Sequence, residues 1–189
     1  IARQGVLLRK FGQEVIRVTS GMRMHGTGSV PGGVNRQPTR EERDALTAQV
    51  PQMLDWCERA VELAATLHAQ APELYGHFGA IRSGWMSLVG PGGAMELYDG
   101  PLRVRDVQGT LLHDGVPVHN YLDLIEEAVE PWTYMKFPYL RAQGREAGWY
   151  RVGPLARVNN CSHIPSPRAE AQRQRFVAHG PVQGTLAYH

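Results

Sequence analysis

The chain has 189 residues, of which 42% are hydrophobic, and its 20 basic and 18 acidic residues give a formal net charge of +2. The two signs are interspersed along the sequence, which excludes the basic footprint of a nucleic-acid-binding domain. No apolar run is long enough for a transmembrane helix, and the two cysteines form neither a Cys-x-x-Cys pair nor a disulfide framework, as is usual in a reducing compartment.

The first twenty residues, Ile1 to Ser20, predict a helix with one buried stripe, because their apolar residues recur at close to helical period. The stripe consists of Val6, Leu7, Phe11, Val15, Ile16 and Val18. Ile1 lies inside this pattern with no initiator Met and no capping residue before it. At the other end, the apolar residues of GTLAYH are typical of the start of another element. We therefore expect an internal segment of a longer protein.

The next stretch, GMRMHGTGSVPGGV from Gly21 to Val34, has five glycines around a single histidine, His25. Glycine-rich turns at helix ends often bind phosphate through their backbone N–H groups. A dinucleotide fingerprint, however, needs glycine where Pro31 stands, and a P-loop needs lysine where Val34 stands. The glycines favour a surface turn, and the alternative for the histidine is a position at the edge of a buried cofactor.

A second helical region follows the glycine-rich loop. Thr39 and Glu42 form a capping box, which predicts the start of a helix. The apolar residues that follow share one side of it: Leu46, Val50, Met53, Leu54, Cys57, Val61 and Ala64. Pro51 lies within this run, so we expect a kink or a break into two helices.

Turn residues and short β-type runs become frequent from Leu88 onward. Leu102 and Val104 alternate with Arg103 and Arg105, and a turn through Gly109 predicts an antiparallel hairpin.

Three further elements are predicted toward the end of the chain. A short helix is expected from Asn120 to Ala128, with Leu122, Ile125 and Val129 facing inward. The segments WTYMKFPYL and GWYRVGPLARVN are predicted to be extended. Ser166 and Pro167 are expected to begin a last helix that runs through Phe176.

These elements predict an α+β fold that is mainly α, with long core helices and a small antiparallel β-hairpin insertion. We expect residues 1–189 to be one segment of a single domain. Within it, residues 1–87 are helical with the glycine loop, 88–118 form the hairpin region, and 119–189 are mixed extended and helical.

The residue chemistry by itself identifies no reaction. Cys161 and His163 have a spacing that could begin a metal site, but no second pair of ligands stands nearby, which favours a structural role. The carboxylates Asp123, Glu126, Glu127 and Glu130 are interpreted as the solvated outer face of a helix.

Four phrases, HGTGSVPGGV, LVGPGGAMELYDGPLRV, PWTYMKFPYL and GWYRVGPLARVN, occur in this order along the chain. Together they resemble the middle of the large subunit of nickel-iron hydrogenases, closest to the bidirectional, NAD-linked cytoplasmic group. The resemblance implies part of the large-subunit fold. It also implies reversible hydrogen oxidation at a nickel-iron centre, with electrons leaving through iron-sulfur clusters of a small subunit to diaphorase-type subunits that hold flavin and bind NAD.

The same resemblance implies that this segment holds no metal ligand and no catalytic residue. The family supplies its four thiolates from two Cys-x-x-Cys pairs near the ends of the subunit, and neither pair is present here. On its own the segment is expected to be inactive. The alternative interpretation is a metal-free, hydrogenase-like scaffold subunit of an assembly of the respiratory complex I type, which keeps the architecture without the metal cysteines.

Six residues are assigned roles, His25, Gly32 and Gly33 from the resemblance and Gly153, Pro154 and Arg157 from their own chemistry. His25 matches a histidine that faces the small subunit near the iron-sulfur cluster closest to the active site, although the family's proline after it is Gly26 here. Gly32 and Gly33 would let the two subunit backbones approach closely. Arg157, which follows Gly153 and Pro154, is expected to hold an extended segment against the helical core.

Overall fold

The computed structural model describes residues 2–180, and the chain divides into two compact units, Ile1–Gln70 and Ala71–His189. The first unit is helical, and the second is built around a four-stranded sheet. This mixture of helices and small sheets matches the predicted α+β class. Within residues 2–180, none of the helices combines the length and the apolar composition that a bilayer crossing requires. The segment GTLAYH, predicted to begin another element, lies outside the described residues.

The first unit consists of α1 (Ala2–Ser20), a ribbon of β1 (Ser29–Val30) and β2 (Gly33–Val34), α2 (Arg40–Thr47) and α3 (Val50–Gln70). The predicted N-terminal helix is confirmed, but its apolar stripe is not buried along its length. Val18 is 2% exposed, whereas Val6 and Ile16 are 69% and 46% exposed. The periodicity therefore located the helix correctly and overstated how much of its stripe is covered.

The predicted break in the second helical region is also confirmed. Thr39 caps α2, which ends at Thr47, and α3 begins at Val50. Pro51 lies in the first turn of α3, where its missing N–H would have no helical partner in any case. The proline thus fixes where the new helix starts rather than bending one long helix.

The described part of the second unit contains five short α-helices, three single-turn 3-10 helices and six strands. The α-helices are α4 (Pro72–His77), α5 (Tyr121–Leu124), α6 (Gly144–Ala147), α7 (Pro154–Asn160) and α8 (Pro167–Val177). The strands are β3 (Gly84–Leu88), β4 (Leu102–Arg105), β5 (Leu111–Val116), β6 (Ile125–Val129), β7 (Lys136–Leu140) and β8 (Tyr150–Arg151). One sheet has the order β5-β4-β3-β8, with β8 parallel to β3 and the other pairs antiparallel, and β6 and β7 form a separate antiparallel pair.

The core of the second unit lies on one face of its larger sheet. Leu102 and Val104 alternate along β4 with half-buried arginines, and Val104 is 0% exposed. Leu124 and Leu140 bring α5 and β7 onto the same cluster, which also contains Met86. The alternation of apolar and basic residues in LRVR therefore places the leucine and the valine of β4 on the core face and the arginines on the other face.

The helix predicted from Asn120 to Ala128 is wrong beyond its first turn. The chain is helical at Tyr121–Leu124 and then extends at Ile125–Val129, where it pairs with Lys136–Leu140. As a result, Glu126 and Glu127 lie in a strand rather than on a helix face, and Leu122 and Val129, predicted to point inward, are exposed. Pairing with β7, the next strand along the chain, overrides the local helical pattern.

The segment around GPLAR is a second correction. PLARVNN was predicted to be extended and forms α7 instead. Gly153 precedes the helix with φ of +87°, and Pro154 occupies its first turn, an arrangement that glycine and proline favour at helix starts. Arg157 is therefore a helical residue.

The last helix agrees with its prediction. α8 begins at Pro167 after Ser166 and ends at Val177, although the Ser166 side chain makes no capping hydrogen bond. Glu170 anchors the helix: its carboxylate accepts hydrogen bonds from the Ile164 N–H at 2.7 Å and from Arg173 Nε and Nη2 at 2.7 and 2.8 Å. Arg173 Nη2 also donates to the Ser162 carbonyl at 2.7 Å. The hydrogen bond from Arg173, followed by that from Ile164, lowers the pKa of Glu170 from 4.5 to about 2.

We expect this carboxylate to make stability depend on pH in acid. Because the pKa of Glu170 is lowered by folding, its contribution is complete above the ordinary value of 4.5 and is lost as the pH falls toward 2. Thermal unfolding of the full-length protein and of Glu170→Gln should show a difference in midpoint that shrinks through this window. Glu146→Gln, at an exposed side chain, is the control. A difference that does not change with pH would contradict the prediction.

Candidate functional site

The glycine-rich loop begins where α1 is stopped. The Gly21 N–H donates to the Arg17 carbonyl at 2.8 Å, and Gly21 has a φ of +87°, the conformation that ends many helices. The chain then returns across the helix end: a Cβ on Gly26 would overlap Ser20 Oγ, and one on Gly28 would lie 3.0 Å from Ser20 Cβ. Close approach to α1 therefore excludes a side chain at Gly26 and leaves little room for one at Gly28.

His25 lies at the outer side of this return. It is the one non-glycine residue with positive φ, +49°, in the part of the chain that the structure describes. Its side chain is exposed, and so are those of Met22 and Met24, at 51% and 67%. A side chain held in the left-handed region costs about 1 kcal/mol, and such positions concentrate at functional sites.

The second half of the loop is the ribbon of β1 and β2. Pro31 and Gly32 make its turn, and Gly32 has a φ of +89°, which a Pro-Gly turn requires. Val30 and Val34 are 39% and 68% exposed. We call Met22, Met24, His25, Val30 and Val34 the loop surface; the ribbon presents the last two of these residues.

The C-terminal end of the loop is tied to two helices by Arg36. Its Nη1 donates to the Val18 carbonyl at 2.6 Å, near the end of α1, and its Nη2 donates to Glu42 Oε1 at 2.7 Å. The remaining oxygen of Glu42 accepts the Thr39 N–H at 3.1 Å, and Thr39 Oγ1 accepts the Glu42 N–H at 3.2 Å. The hydrogen bond from Arg36, and then that from Thr39, lowers the pKa of Glu42. A cation at the helix C-terminus also complements the helix dipole.

The N-terminal end of the loop is held by a second carboxylate. Glu14 accepts hydrogen bonds from Arg17 Nε at 2.7 Å and from Arg23 Nη2 at 2.9 Å. These bonds, that of Arg17 first, lower the pKa of Glu14 to about 2. Both ends of the loop are thus fixed, while the loop surface is uncovered. Exposed apolar side chains on a fixed backbone are typical of a surface that another chain covers.

Removing the cap of α2 should loosen the anchor of this loop. Thr39→Ala deletes the hydroxyl that accepts the Glu42 N–H, and loss of such a cap costs about 1 kcal/mol. Amide hydrogen exchange at Glu41 to Arg43 is therefore expected to accelerate about fivefold. Thr47→Ala is the matched control, since its hydroxyl donates to a carbonyl within the same helix. Equal exchange in the wild type and in Thr39→Ala would show that the cap contributes nothing.

The other group of predicted residues lies in the second unit, apart from the glycine-rich loop. It consists of Gly153, Pro154 and Arg157. Arg157 is half-buried, and its N–H donates to the Gly153 carbonyl at 3.0 Å. Its guanidinium makes no hydrogen bond or ion pair with any residue in the described range 2–180. The role predicted for it remains a prediction.

The residues present do not fit a nickel-iron centre held by four thiolates. Cys57 is exposed on α3, and Cys161 is buried directly after α7. Burial raises the pKa of the Cys161 thiol. Across residues 2–180 there is no group of three or more His, Cys, Asp or Glu side chains that could hold a metal ion. Any such centre needs ligands from elsewhere.

A polar cluster that the sequence did not predict holds α7 on the sheet. Asn160 is 1% exposed, and its Nδ2 donates to Ser87 Oγ and to the Arg103 carbonyl, both at 3.1 Å. Arg103 in turn donates to the Asn160 carbonyl at 3.0 Å and makes a two-point ion pair with Asp114 at 2.9 and 2.8 Å. The available signal was an arginine in the first strand of a hairpin with an aspartate in the second.

No family model matches the sequence. The chain is 38% identical over 185 residues to the NAD-reducing hydrogenase HoxS subunit beta of Cupriavidus necator, covering 95% of this chain and 38% of that protein. It is 36% identical over 191 residues to a vhu subunit of the F420-non-reducing hydrogenase of Methanocaldococcus jannaschii, covering 100% of this chain and 45% of that protein. The chain is related to hydrogenase subunits.

The fold gives the same result. The chain superimposes on a crystal structure of an NAD+-reducing nickel-iron hydrogenase in the H2-reduced state with a TM-score of 0.85 and 46% sequence identity, over 99% of this chain and 41% of that one. The chain therefore spans less than half the length of each of these relatives. The kinship with hydrogenases, predicted from the four ordered phrases, is confirmed.

Proposed function

We propose that the chain is an internal part of the large subunit of a nickel-iron hydrogenase of the NAD-linked, cytoplasmic group. The assembled protein would oxidise hydrogen reversibly and pass electrons through iron-sulfur clusters of a small subunit to diaphorase-type subunits that hold flavin and bind NAD. The observation that carries the proposal is the similarity to the NAD+-reducing nickel-iron hydrogenase, at 46% identity over 99% of this chain.

Within such an assembly, this part of the chain acts as scaffold rather than as metal cage. The nickel-iron centre, with ligands outside these residues, supplies heterolytic cleavage of hydrogen. The two cysteines of this chain cannot provide four thiolates, and a centre that cycles nickel needs soft thiolate ligands.

The loop surface is the part we assign to electron exit. Its exposed methionines and valines offer apolar area to the small subunit, and its anchored ends keep the backbone in place before assembly. Gly32 and Gly33 carry no Cβ and have open space around them, so a partner backbone can come close. An imidazole N–H of His25 would then donate to a cysteine sulfur of the nearest iron-sulfur cluster and tune its reduction potential.

The proposal is tested on the full-length protein purified with its co-expressed subunits. The complex is expected to contain nickel, to exchange H2 with D2O, and to reduce NAD+ under hydrogen. A complex without nickel and without exchange would favour the metal-free, complex I type scaffold and overturn the proposal. Hydrogen oxidation with an artificial dye but none with NAD+ would keep the hydrogenase assignment and remove its link to NAD.

A further inference from the structure

We propose that Arg157 forms an ion pair with an aspartate or glutamate of the same polypeptide that lies outside these 189 residues. The pair would fasten the outer face of α7 to the rest of the large subunit. This inference rests on the proposed function, in which the chain is one part of a longer subunit.

The first observation is that Arg157 differs from every other half-buried arginine. Six of the seven donate side-chain hydrogen bonds to a carboxylate or a carbonyl: Arg17, Arg36, Arg103, Arg105, Arg151 and Arg173. The Arg157 guanidinium alone has no such partner among the residues that the structure describes. A guanidinium that is partly removed from water loses hydration, and a carboxylate replaces it best through two parallel hydrogen bonds.

The second observation is the division of α7 into two faces. Leu155, Ala156 and Asn160 are buried, and the helix packs against β3 and β4 and also contacts α8. Pro154, Arg157 and Val158 follow at spacings of three and four residues, and therefore share the other face. Pro154 is exposed and the other two are half-buried. This face is apolar apart from one cation, which is the character of a contact surface with a single charged anchor.

The third observation is that the chain offers no acid to complete this face. Residues 181–189 read PVQGTLAYH and contain neither aspartate nor glutamate. No aspartate or glutamate among residues 2–180 pairs with the Arg157 guanidinium. Arg105 and Arg151 donate to carbonyls alone, but the exposed apolar face around Arg157 favours a charged partner, and a carboxylate for it has to come from outside the 189 residues. We assign it to the same polypeptide because more than half of the structural relative's chain lies outside the aligned region.

The test is zero-length cross-linking of the purified full-length complex carrying Arg157→Lys. A carbodiimide joins an amine to a carboxylate only where the two are in contact, and mass spectrometry identifies the joined peptides. We expect the amine introduced at position 157 to be joined to an aspartate or glutamate of the same polypeptide outside residues 1–189. Arg173→Lys is the positive control, since its partner Glu170 is known. Arg82→Lys, at an exposed position, is the negative control.

Three outcomes would overturn the inference: a cross-link to another subunit, a cross-link within the 189 residues, or none at position 157 while the Arg173 control reacts. A second measurement uses the acid that the cross-link maps and tests whether the contact stabilises the assembly. Arg157→Glu should lower the yield of assembled complex at least tenfold, and reversing the charge of the mapped acid should restore it. Because neither readout uses hydrogenase activity, failure here is distinguishable from failure of the proposed function, which wild-type turnover tests.

Discussion

Replacing Gly148 by alanine is expected to prevent the second unit from folding as described. A Cβ at this position would lie 2.6 Å from the Gly144 carbonyl oxygen, 2.6 Å from the Leu140 carbonyl oxygen and 2.9 Å from the Leu140 nitrogen. All three atoms are main chain and cannot rotate away. The φ of Gly148, −86°, is ordinary, so the effect is steric rather than conformational. Overpacking usually costs about 1–3 kcal/mol, and contacts with fixed backbone belong at or above the upper end.

The backbone of Gly148 also connects two elements of the second unit. Gly148 donates to the Gly144 carbonyl and accepts from the Leu140 N–H, each at 2.8 Å, so it joins α6 to the end of β7. Soluble yield and the midpoint of thermal unfolding of the full-length subunit should both fall sharply in Gly148→Ala. Gly12→Ala is the control, because a Cβ there meets nothing within 4 Å and alanine favours a helix. Normal yield and an unchanged midpoint in Gly148→Ala would mean that the backbone does not pass so close here.

Features specified by neighbouring residues were predictable. The Thr39–Glu42 capping box needs only four consecutive residues, and the structure contains both of its hydrogen bonds. The break before Pro51 follows from one missing N–H. The fold relationship was predictable for a different reason, since four phrases in a fixed order exclude chance better than any one motif does.

Features that depend on partners outside the local pattern were not predicted. Ile125 to Val129 has a helical pattern, yet β7, seven residues further on, pairs with it as a strand. Arg157 was placed in an extended segment because aromatic and β-branched residues cluster there between proline and glycine, while Gly153 and Pro154 start a helix. The buried hydrogen bonds of Asn160 join residues more than fifty positions apart, and no local pattern encodes them.

The glycine-rich loop was predictable in part, because some of its features are local and others depend on contact with α1. Its glycines were visible in the sequence, but the reason for Gly26 and Gly28 was not: they pass over Ser20, and a side chain at Gly26 would overlap it. Glycine therefore stands where the resembled family has a proline after its histidine. The close pass over Ser20 excludes a side chain at this position.

Replacing His25 by alanine in the intact complex is expected to slow hydrogen-driven reduction of NAD+ about tenfold or more, while H2/D2O exchange is unchanged. Exchange needs only hydrogen cleavage, whereas NAD+ reduction needs electrons to pass the nearest iron-sulfur cluster. A hydrogen bond to a charged group contributes about 1.5–3 kcal/mol. Its loss would shift a one-electron potential by at most about 65–130 mV, the value reached when only one redox state gains the bond. A barrier increase of 1.4 kcal/mol corresponds to about tenfold in rate.

Two further variants separate the hydrogen bond from the backbone strain. His25→Asn keeps an N–H donor and tolerates the φ of +49°, so it should retain more activity than alanine. His25→Gly removes the strain without supplying a donor and should be as slow as alanine. Unchanged NAD+ reduction in His25→Ala would contradict the assignment of this loop to electron exit, and parallel loss of H2/D2O exchange would place the effect at the hydrogen-cleaving centre instead. Activity that follows the donor rather than the backbone is therefore the result that only a cluster-facing imidazole explains.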